Sequence, residues 1–370
     1  MKCIFSGGGT GGHLYPALAI AEQIMKEEPD SRILFMGTKK GLESEVVPKL
    51  GYEFVALPSQ GMNETDTFLQ KMSLNARFGL ANVAGVGRAL MVVRKFKPDA
   101  VVGTGGFASF PGVMAAQLAG YPTYIHEQNA VPGRANSTLA RGAKKLFVGF
   151  GGTEDVFGYP EKTIFTGNPV RSDFGSVSKA EARERLSIPE DDFVVFAFGG
   201  SLGAATINEI TMAYLGSMSN KPGRTLLWGT GRRFHEECVD KCVTRGLTTS
   251  GNVRIEGYID NMMDYVASAD LLICRAGALS LAELMVAGKP AIIVPIPNSV
   301  GNHQYYNAKA VADAGGAFLV EEKNLNIDDV KEKIEYLASN RNALETMGGI
   351  CKALAPVDAA KRIYEEIRPR

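Results

Sequence analysis

Short apolar runs recur along the chain and alternate with segments that have helical periodicity. Examples are ILFMG at 33–37, TYIHE at 123–127, FVVFAFGG at 193–200 and DLLICRAG at 270–277. Strands of this kind are buried on both faces when helices lie between them in the sequence, so the alternation predicts parallel sheets covered by helices. We therefore expect an α/β fold of doubly wound type.

The alternation breaks once, near TIFTGNPVRSDF at 163–174, and begins again at FAFGGSLGAATIN, 196–208. This restart predicts a second doubly wound domain. We expect domains at 1–164 and 165–352, and a last helix within 353–370 that packs back on the first domain. Doubly wound sheets bind ligands at the carboxyl ends of their strands, which predicts a binding cleft between the two domains.

The first glycine turn, GGGTGGH at 7–13, follows a strand and opens a helix. Its G-x-G-x-x-G spacing is also a dinucleotide fingerprint, which needs an acidic side chain about 20 residues further on. The second strand instead ends at Gly37 and Thr38. An NAD or FAD site is therefore disfavoured, although an NAD-dependent enzyme stays an alternative that a binding assay would test.

Two more glycine loops follow strands, at 103–106 and 199–203. Each opens a helix, and backbone N–H groups at a helix start bind anions. Three such loops predict a ligand with more than one phosphate group. Polar residues at strand ends or on the adjoining helix suit a nucleotide sugar, with Glu283 placed to accept both ribose hydroxyls. These residues are Arg275, Glu283, His303 and Gln304.

The amino-acid composition limits the kinds of binding partner and the cellular location that we expect for this protein. Lys plus Arg and Asp plus Glu both number 40, so global charge gives no argument for a nucleic-acid partner. The five cysteines are scattered, and strand-like residues begin at once, so we expect no signal peptide and a cytoplasmic location. The uncharged stretch 100–125 is broken by glycine and proline, which argues against a membrane span.

A metal site is not expected. His235, Cys238 and Cys242 can share one helix face, but no second ligand pair with zinc-like spacing follows them. No two aspartates lie two residues apart, so the D-x-D motif that often holds a catalytic metal is missing from the sequence. We expect no cofactor.

Seven motifs, in order and spacing, resemble those of the MurG family, the bacterial peptidoglycan N-acetylglucosaminyltransferases of glycosyltransferase family 28. They are GGGTGGH, GTGGFASFPG, HEQNAVPGRAN, TGNPVR, GGSLGA, CRAGALSLAEL and HQYYNA. The resemblance covers nearly the whole chain and implies the GT-B fold, two Rossmann-like domains with an interdomain cleft. It implies inverting transfer of N-acetylglucosamine from UDP-N-acetylglucosamine to the 4-hydroxyl of the muramyl sugar of lipid I, forming lipid II.

The resemblance also implies roles for matching residues. Glu283 would hold the ribose, and His303 with Gln304 the sugar hydroxyls. The whole implied donor-binding set is Asn129, Arg171, Ser201, Tyr258, Ile259, Arg275, Ala278, Glu283, His303 and Gln304. The pyrophosphate of lipid I would bind the first two glycine loops through Thr10, Gly11, Gly12, Gly105 and Gly106.

An inverting displacement needs a base for the acceptor hydroxyl and a group that stabilises the leaving UDP. His13 ends the first glycine loop and is the expected base, with Glu127 as the alternative, either as base or as an orienting group. The expected stabilising groups are Arg171 or Arg275 and the helix start after Gly203.

Between Asp66 and Asp99 the chain carries six basic residues, no acidic ones, and many apolar ones. This segment predicts docking on an anionic membrane surface, at the cytoplasmic face of the plasma (inner) membrane, although a helix pair packed on the first sheet is also possible. Other cell-wall synthesis proteins are expected partners, and nucleic acid is not. Two alternatives stay open: a different lipid or natural-product acceptor, and a sugar-binding subunit without turnover. The six basic residues are Lys71, Arg77, Arg88, Arg94, Lys95 and Lys97.

Overall fold

The computed structural model describes residues 1–60, 68–170, 175–218, 221–247, 249 and 251–369, with the helix alone described at 68–78. The chain divides into two compact units. Unit 1 is Met1–Arg171 with Pro356–Arg370, and unit 2 is Ser172–Ala355. The domain boundaries and the cleft expected from the sequence stay predictions.

Unit 1 is built on a parallel sheet that has seven strands within the described residues, in the order β3-β2-β1-β4-β5-β6-β7. The strands are β1 Lys2–Gly7, β2 Arg32–Gly37, β3 Glu53–Ala56, β4 Ala100–Gly105, β5 Thr123–Glu127, β6 Lys145–Val148 and β7 Thr163–Phe165. The helices between them are α1 Gly11–Glu27, α2 Glu43–Lys49, α3 Phe68–Phe96, α4 Ser109–Leu118 and α5 Arg134–Ala140.

Both faces of this sheet are buried. Successive side chains of a strand point to opposite faces, and β1 shows this directly. Phe5 packs in one apolar cluster with Ile20 of α1, and Ile4 packs in another with Val93 of α3 and Val113 of α4. The uninterrupted apolar composition of these strands follows from this double burial.

Unit 2 repeats the arrangement with six parallel strands among its described residues, in the order β10-β9-β8-β11-β12-β13. These are β8 Phe193–Phe198, β9 Arg224–Gly229, β10 Val253–Glu256, β11 Leu271–Cys274, β12 Ala291–Ile293 and β13 Ala317–Leu319. The helices of unit 2 are α6 Lys179–Arg185, α7 Ala205–Met218, α8 His235–Thr244, α9 Met262–Ser268, α10 Ala278–Val286, α11 His303–Asp313, α12 Ile327–Ser339 and α13 Arg341–Leu354. The prediction of two doubly wound, Rossmann-like sheets is confirmed.

The last helix, α14 Ala359–Ile367, belongs to unit 1 and packs on α1. Ile363, Tyr364 and Ile367 are buried in the same cluster as Phe5. The Tyr364 hydroxyl donates a hydrogen bond of 3.0 Å to Glu28, just beyond the end of α1. Residues from both ends of the sequence therefore complete one core.

In the described part of the chain, none of the helices combines the length and apolar character that crossing a membrane requires.

Candidate active site

A buried carboxylate that sequence reasoning missed holds the first glycine turn. Glu43 is fully buried at the start of α2. It accepts hydrogen bonds from the Gly9 backbone N–H at 2.8 Å, and from the backbone N–H and hydroxyl of Thr38 at 2.7 and 2.9 Å. An acidic residue does follow the second strand, but its carboxylate binds the protein's own backbone. This arrangement argues further against a dinucleotide site.

His13, the expected base, lies between the first two glycine loops. It is the third residue of α1 and is half-buried. Its ring packs on Gly105 and Gly106, where a Cβ atom would approach Nδ1 to 3.0 Å and Cδ2 to 2.9 Å respectively. Both glycines have positive φ, +94° and +73°, so a larger residue would be strained as well as crowded. The structure therefore brings His13 together with the predicted Gly105 and Gly106.

The first glycine loop presents a helix N-terminus beside His13. Thr10 is the N-cap of α1 in extended conformation, and Gly11 and Gly12 are the first two helical residues. The first N–H groups of an α-helix have no acceptor within the helix and carry the positive end of its dipole. The predicted residues Thr10, Gly11 and Gly12 thus form a surface suited to an anion.

The carboxylate of Glu127, the alternative base, accepts four hydrogen bonds from within the protein. Glu127 is 1% exposed at the end of β5. One oxygen accepts from the backbone N–H and the amide of Asn129, both at 3.0 Å, and the other from Gly133 N–H at 2.9 Å and the Asn136 amide at 2.8 Å. Two carboxylate oxygens offer about four acceptor positions in all, so these donors satisfy the group. Glu127 is arranged to shape the loop that carries Asn129.

Two strand-end turns of unit 2 pack backbone against backbone. Gly203, at the end of the turn before α7, lies so close to the Thr230 carbonyl and to Gly231 that a Cβ would overlap them. Ser201 is exposed at the tip of this turn. The turn before α7 therefore lies against the turn after β9, and the diphosphate contact expected of Ser201 stays a prediction.

The predicted uracil-binding residues lie after β10. The Ile259 side chain packs over Gly229, where a Cβ would approach its Cδ1 to 2.9 Å. Tyr258 is 44% exposed, and the Arg232 guanidinium lies 4.1 Å from its ring centre. Both residues therefore border the end of β9.

The residues of unit 2 that are predicted to contact the ribose and the sugar lie on two neighbouring helices. α10 begins at Ala278 and carries the half-buried Glu283. α11 begins at His303, whose Nδ1 lies 2.7 Å from the Val300 carbonyl, and the Gln304 side chain accepts from Ile296 N–H at 3.0 Å.

A buried asparagine joins these two helices. Asn307 of α11 donates a hydrogen bond of 3.1 Å to the Ala276 carbonyl, in the turn that opens α10. The sequence motif contained Asn307, but its role was not expected. Asn307 thus ties α11, which carries His303 and Gln304, to the start of α10, which carries Ala278 and Glu283.

The guanidinium group of Arg275 is already bound by acceptors within the protein. Its Nη1 donates to the carbonyls of Val294 and Pro295 at 3.0 and 3.3 Å, and it forms an ion pair of 2.6 Å with Glu322. Its charge is therefore balanced by a partly buried carboxylate. Arg171, the other cation expected to stabilise the leaving group, lies outside the described residues.

Two of the three residues that could share a metal-binding helix face lie in the core. Cys238 and Cys242 are buried in the apolar cluster of unit 2, where burial raises the pKa of Cys238 to about 11. His235 faces the Thr230 hydroxyl at 3.3 Å. Over the described ranges, no group of three His, Cys, Asp or Glu side chains is placed to hold a metal ion.

Comparison with known proteins gives matches along the whole chain. Residues 3–148 match the glycosyltransferase family 28 N-terminal domain, and residues 194–363 match the glycosyltransferase family 28 C-terminal domain.

Two curated relatives are named UDP-N-acetylglucosamine--N-acetylmuramyl-(pentapeptide) pyrophosphoryl-undecaprenol N-acetylglucosamine transferase. The relative from Thermoanaerobacter sp. (strain X514) is 40% identical over 100% of this chain and 99% of its own length. The relative from Acetivibrio thermocellus is 38% identical over 100% of this chain and 98% of its own length.

The crystal structure of Acinetobacter baumannii MurG superposes with a TM-score of 0.77 at 26% identity, over 99% of this chain and 98% of that one. The predicted GT-B fold is confirmed. The chain belongs to the MurG family within glycosyltransferase family 28.

Proposed function

We propose that this protein transfers N-acetylglucosamine from UDP-N-acetylglucosamine to the 4-hydroxyl of the muramyl sugar of lipid I, forming lipid II for peptidoglycan synthesis. The relatives named for this reaction match the full length of the chain, which supports the choice of both substrates. The structural observation that carries the proposal is His13, set between two glycine loops that suit an anionic acceptor.

The reaction is a single displacement. The acceptor oxygen forms a bond to the anomeric carbon while the bond from that carbon to the UDP oxygen breaks, and UDP leaves with the electron pair. The hydroxyl proton passes to the imidazole of His13. Glu127 is unsuited to take it, because four hydrogen-bond donors already occupy its carboxylate. Attack from the face opposite UDP inverts the configuration.

The donor binds through unit 2. Glu283 accepts hydrogen bonds from the ribose, His303 and Gln304 contact the sugar, and Tyr258 with Ile259 borders the uracil. Charge on the leaving diphosphate is stabilised by the N–H groups at the start of α7 and by Arg171. Arg275 contributes less, because Glu322 balances its charge. No metal ion takes part in this scheme.

The exposed side of α3 is the proposed membrane-docking surface. Leu80, Val83 and Met91 are 72%, 72% and 68% exposed, and their spacing puts them on one side of the helix. Exposed Arg88 and Arg94 lie on the same side. An apolar stripe with basic residues suits the surface of an anionic membrane leaflet. The lipid tail of lipid I would be embedded in that leaflet. The side chains of Lys71 and Arg77 lie outside the described residues.

The direct test is transfer of labelled sugar. Purified protein is incubated with labelled UDP-N-acetylglucosamine and membranes containing lipid I, and the lipid product is extracted and identified. Label in lipid II supports the proposal, and membranes without lipid I serve as the control. Transfer to another glycolipid but not to lipid I would mean a different acceptor. UDP binding without any transfer would mean a sugar-binding subunit.

A further inference from the structure

A chain of hydrogen bonds runs through the interior of unit 1 and ends on His13. The Nδ1 atom of His13 lies 3.2 Å from Oε1 of Gln128 and 3.1 Å from the Thr104 carbonyl oxygen. Gln128 is 1% exposed, just after β5. Its own amide nitrogen lies 2.9 Å from Nδ1 of His126, and the His126 ring continues the chain to the Gly167 carbonyl at 3.1 Å from Nε2.

The direction of every hydrogen bond in this chain follows from its fixed end. A backbone carbonyl only accepts, so His126 must carry its proton on Nε2 to donate to Gly167. The bare Nδ1 of His126 then accepts from Gln128. Burial lowers the pKa of His126 to about 4, so its ring is neutral at physiological pH and keeps this bare nitrogen.

The orientation of the Gln128 amide is fixed in the same way. Its nitrogen also lies 3.2 Å from the His126 carbonyl oxygen, where an amide oxygen would be repelled. The nitrogen therefore faces His126, and the amide oxygen faces His13. Nδ1 of His13 is then confronted by two oxygen atoms, one from Gln128 and one from the Thr104 carbonyl, both of which need a donor.

We propose that Gln128, oriented by His126, is a positioning residue that holds the proton of His13 on Nδ1 and leaves Nε2 as the nitrogen that takes the acceptor proton. This inference rests on the function proposed above. A histidine acts as a base only through the ring nitrogen that lacks a proton, so the tautomer decides which of the two nitrogens can accept one. Gln128 is neutral, so it orients the ring without the charge that an acidic partner would place beside it.

Among the described residues, the ionisable groups linked by hydrogen bonds to this chain are His126, which is part of it, and Glu127. Glu127 lies on the same strand, but its oxygens are bonded to Asn129, Gly133 and Asn136. Asn136 also donates to the His126 carbonyl at 3.3 Å. The hydrogen-bond partners of His13 in this chain, Gln128 and the Thr104 carbonyl, are therefore uncharged.

Nuclear magnetic resonance of the 15N-histidine-labelled protein tests the tautomers without turnover. The chain has four histidines, so the spectrum is simple, and substitution of each assigns its signals. We expect His13 to carry its proton on Nδ1, and His126 to be neutral with its proton on Nε2. A proton on Nε2 of neutral His13, or a charged His126 at neutral pH, would overturn the proposal. This readout stands even if lipid I proves not to be the acceptor.

Two variants of Gln128 separate positioning from packing. Gln128→Met keeps the length of the side chain and removes its hydrogen bonds. We expect kcat to fall about 10- to 100-fold with unchanged UDP affinity, and the His13 signals to show a mixture of tautomers. In Gln128→Glu, one carboxyl oxygen would face the bare Nδ1 and the carbonyl oxygen of His126, which both accept hydrogen bonds. The buried carboxyl group is therefore expected to stay protonated and to donate to His126 as the amide nitrogen does. We expect this variant to keep the His13 proton on Nδ1 and to retain much more of the wild-type kcat than Gln128→Met.

The matched control is Gln117→Met, since Gln117 of unit 1 donates hydrogen bonds to Thr123 and Leu139 instead. It should leave the His13 tautomer and kcat unchanged. Wild-type kcat with an unchanged His13 tautomer in a folded Gln128→Met variant would show that Gln128 only fills space, and so would an equal loss of kcat in Gln128→Met and Gln128→Glu. Absence of transfer by the wild-type protein would instead count against the proposed function.

Discussion

The Glu43 carboxylate accepts a hydrogen bond of 2.8 Å from the backbone N–H of Gly9, which ties α2 to the glycine turn before α1. Glu43→Ala would leave this N–H and the groups of Thr38 buried without an acceptor. We expect the free energy of unfolding to fall by about 2 to 4 kcal/mol, measured by denaturant titration. Exposed Glu45 of the same helix is the control, and Glu45→Ala should change stability by less than about 0.5 kcal/mol. Equal effects would show that Glu43 does not hold the turn.

Removal of the proposed base should affect turnover and not donor binding. We expect His13→Ala to lower kcat by about 10²-fold or more, as loss of a general base does, with UDP affinity unchanged. Steady-state transfer assays and calorimetry measure the two quantities. A near-wild-type rate would remove His13 from the mechanism.

The proposed ribose contact makes the opposite prediction. Glu283→Ala should weaken UDP binding by about 1 to 3 kcal/mol, because the ribose hydroxyls lose a charged partner. Calorimetric titration with UDP measures the loss. Glu209→Ala, at an exposed position on α7 in the same unit, should bind UDP as the wild type does. If both variants bind equally well, the donor site lies elsewhere.

Membrane attachment through α3 should depend on charge. We expect the protein to sediment with phosphatidylglycerol vesicles, less so in high salt, and to lose much of this binding when Arg88 and Arg94 become Glu. Each basic residue near an anionic surface contributes about 1 kcal/mol. The same charge change at exposed Lys26 and Lys49 is the control. Sedimentation of the α3 variant at the wild-type level would exclude this surface.

Chelation tests the metal-free scheme. We expect transfer to continue in excess EDTA, because backbone amides and Arg171 stabilise the leaving diphosphate. Loss of activity that Mg²⁺ or Mn²⁺ restores would contradict this.

The sequence predicted the sheets well, because double burial leaves a direct trace: strands such as β8 are apolar at every position. It predicted less about hydrogen bonds between distant residues. His126 meets a backbone carbonyl 41 residues away, and Arg275 meets Glu322 across 47 positions. Pairings of this kind have no local pattern, since the fold alone brings the partners together.

The roles of Glu43 and Gln128 were missed for a related reason. Their hydrogen-bond partners include backbone groups, which every residue possesses, so no complementary residue type marks the pairing in the sequence. An acidic residue soon after the second strand was the available signal for Glu43. For Gln128 the signal was its place between His126 and Asn129 in a motif already singled out.

The position of α14 has a consequence for how the protein folds during its synthesis. Unit 2 is one continuous segment, whereas unit 1 lacks Ile363, Tyr364 and Ile367 until the final helix has been synthesised. Domains generally fold during synthesis in the order in which they emerge from the ribosome. The core of unit 1, although most of its residues are made first, can therefore be completed only after every residue of unit 2 has been synthesised.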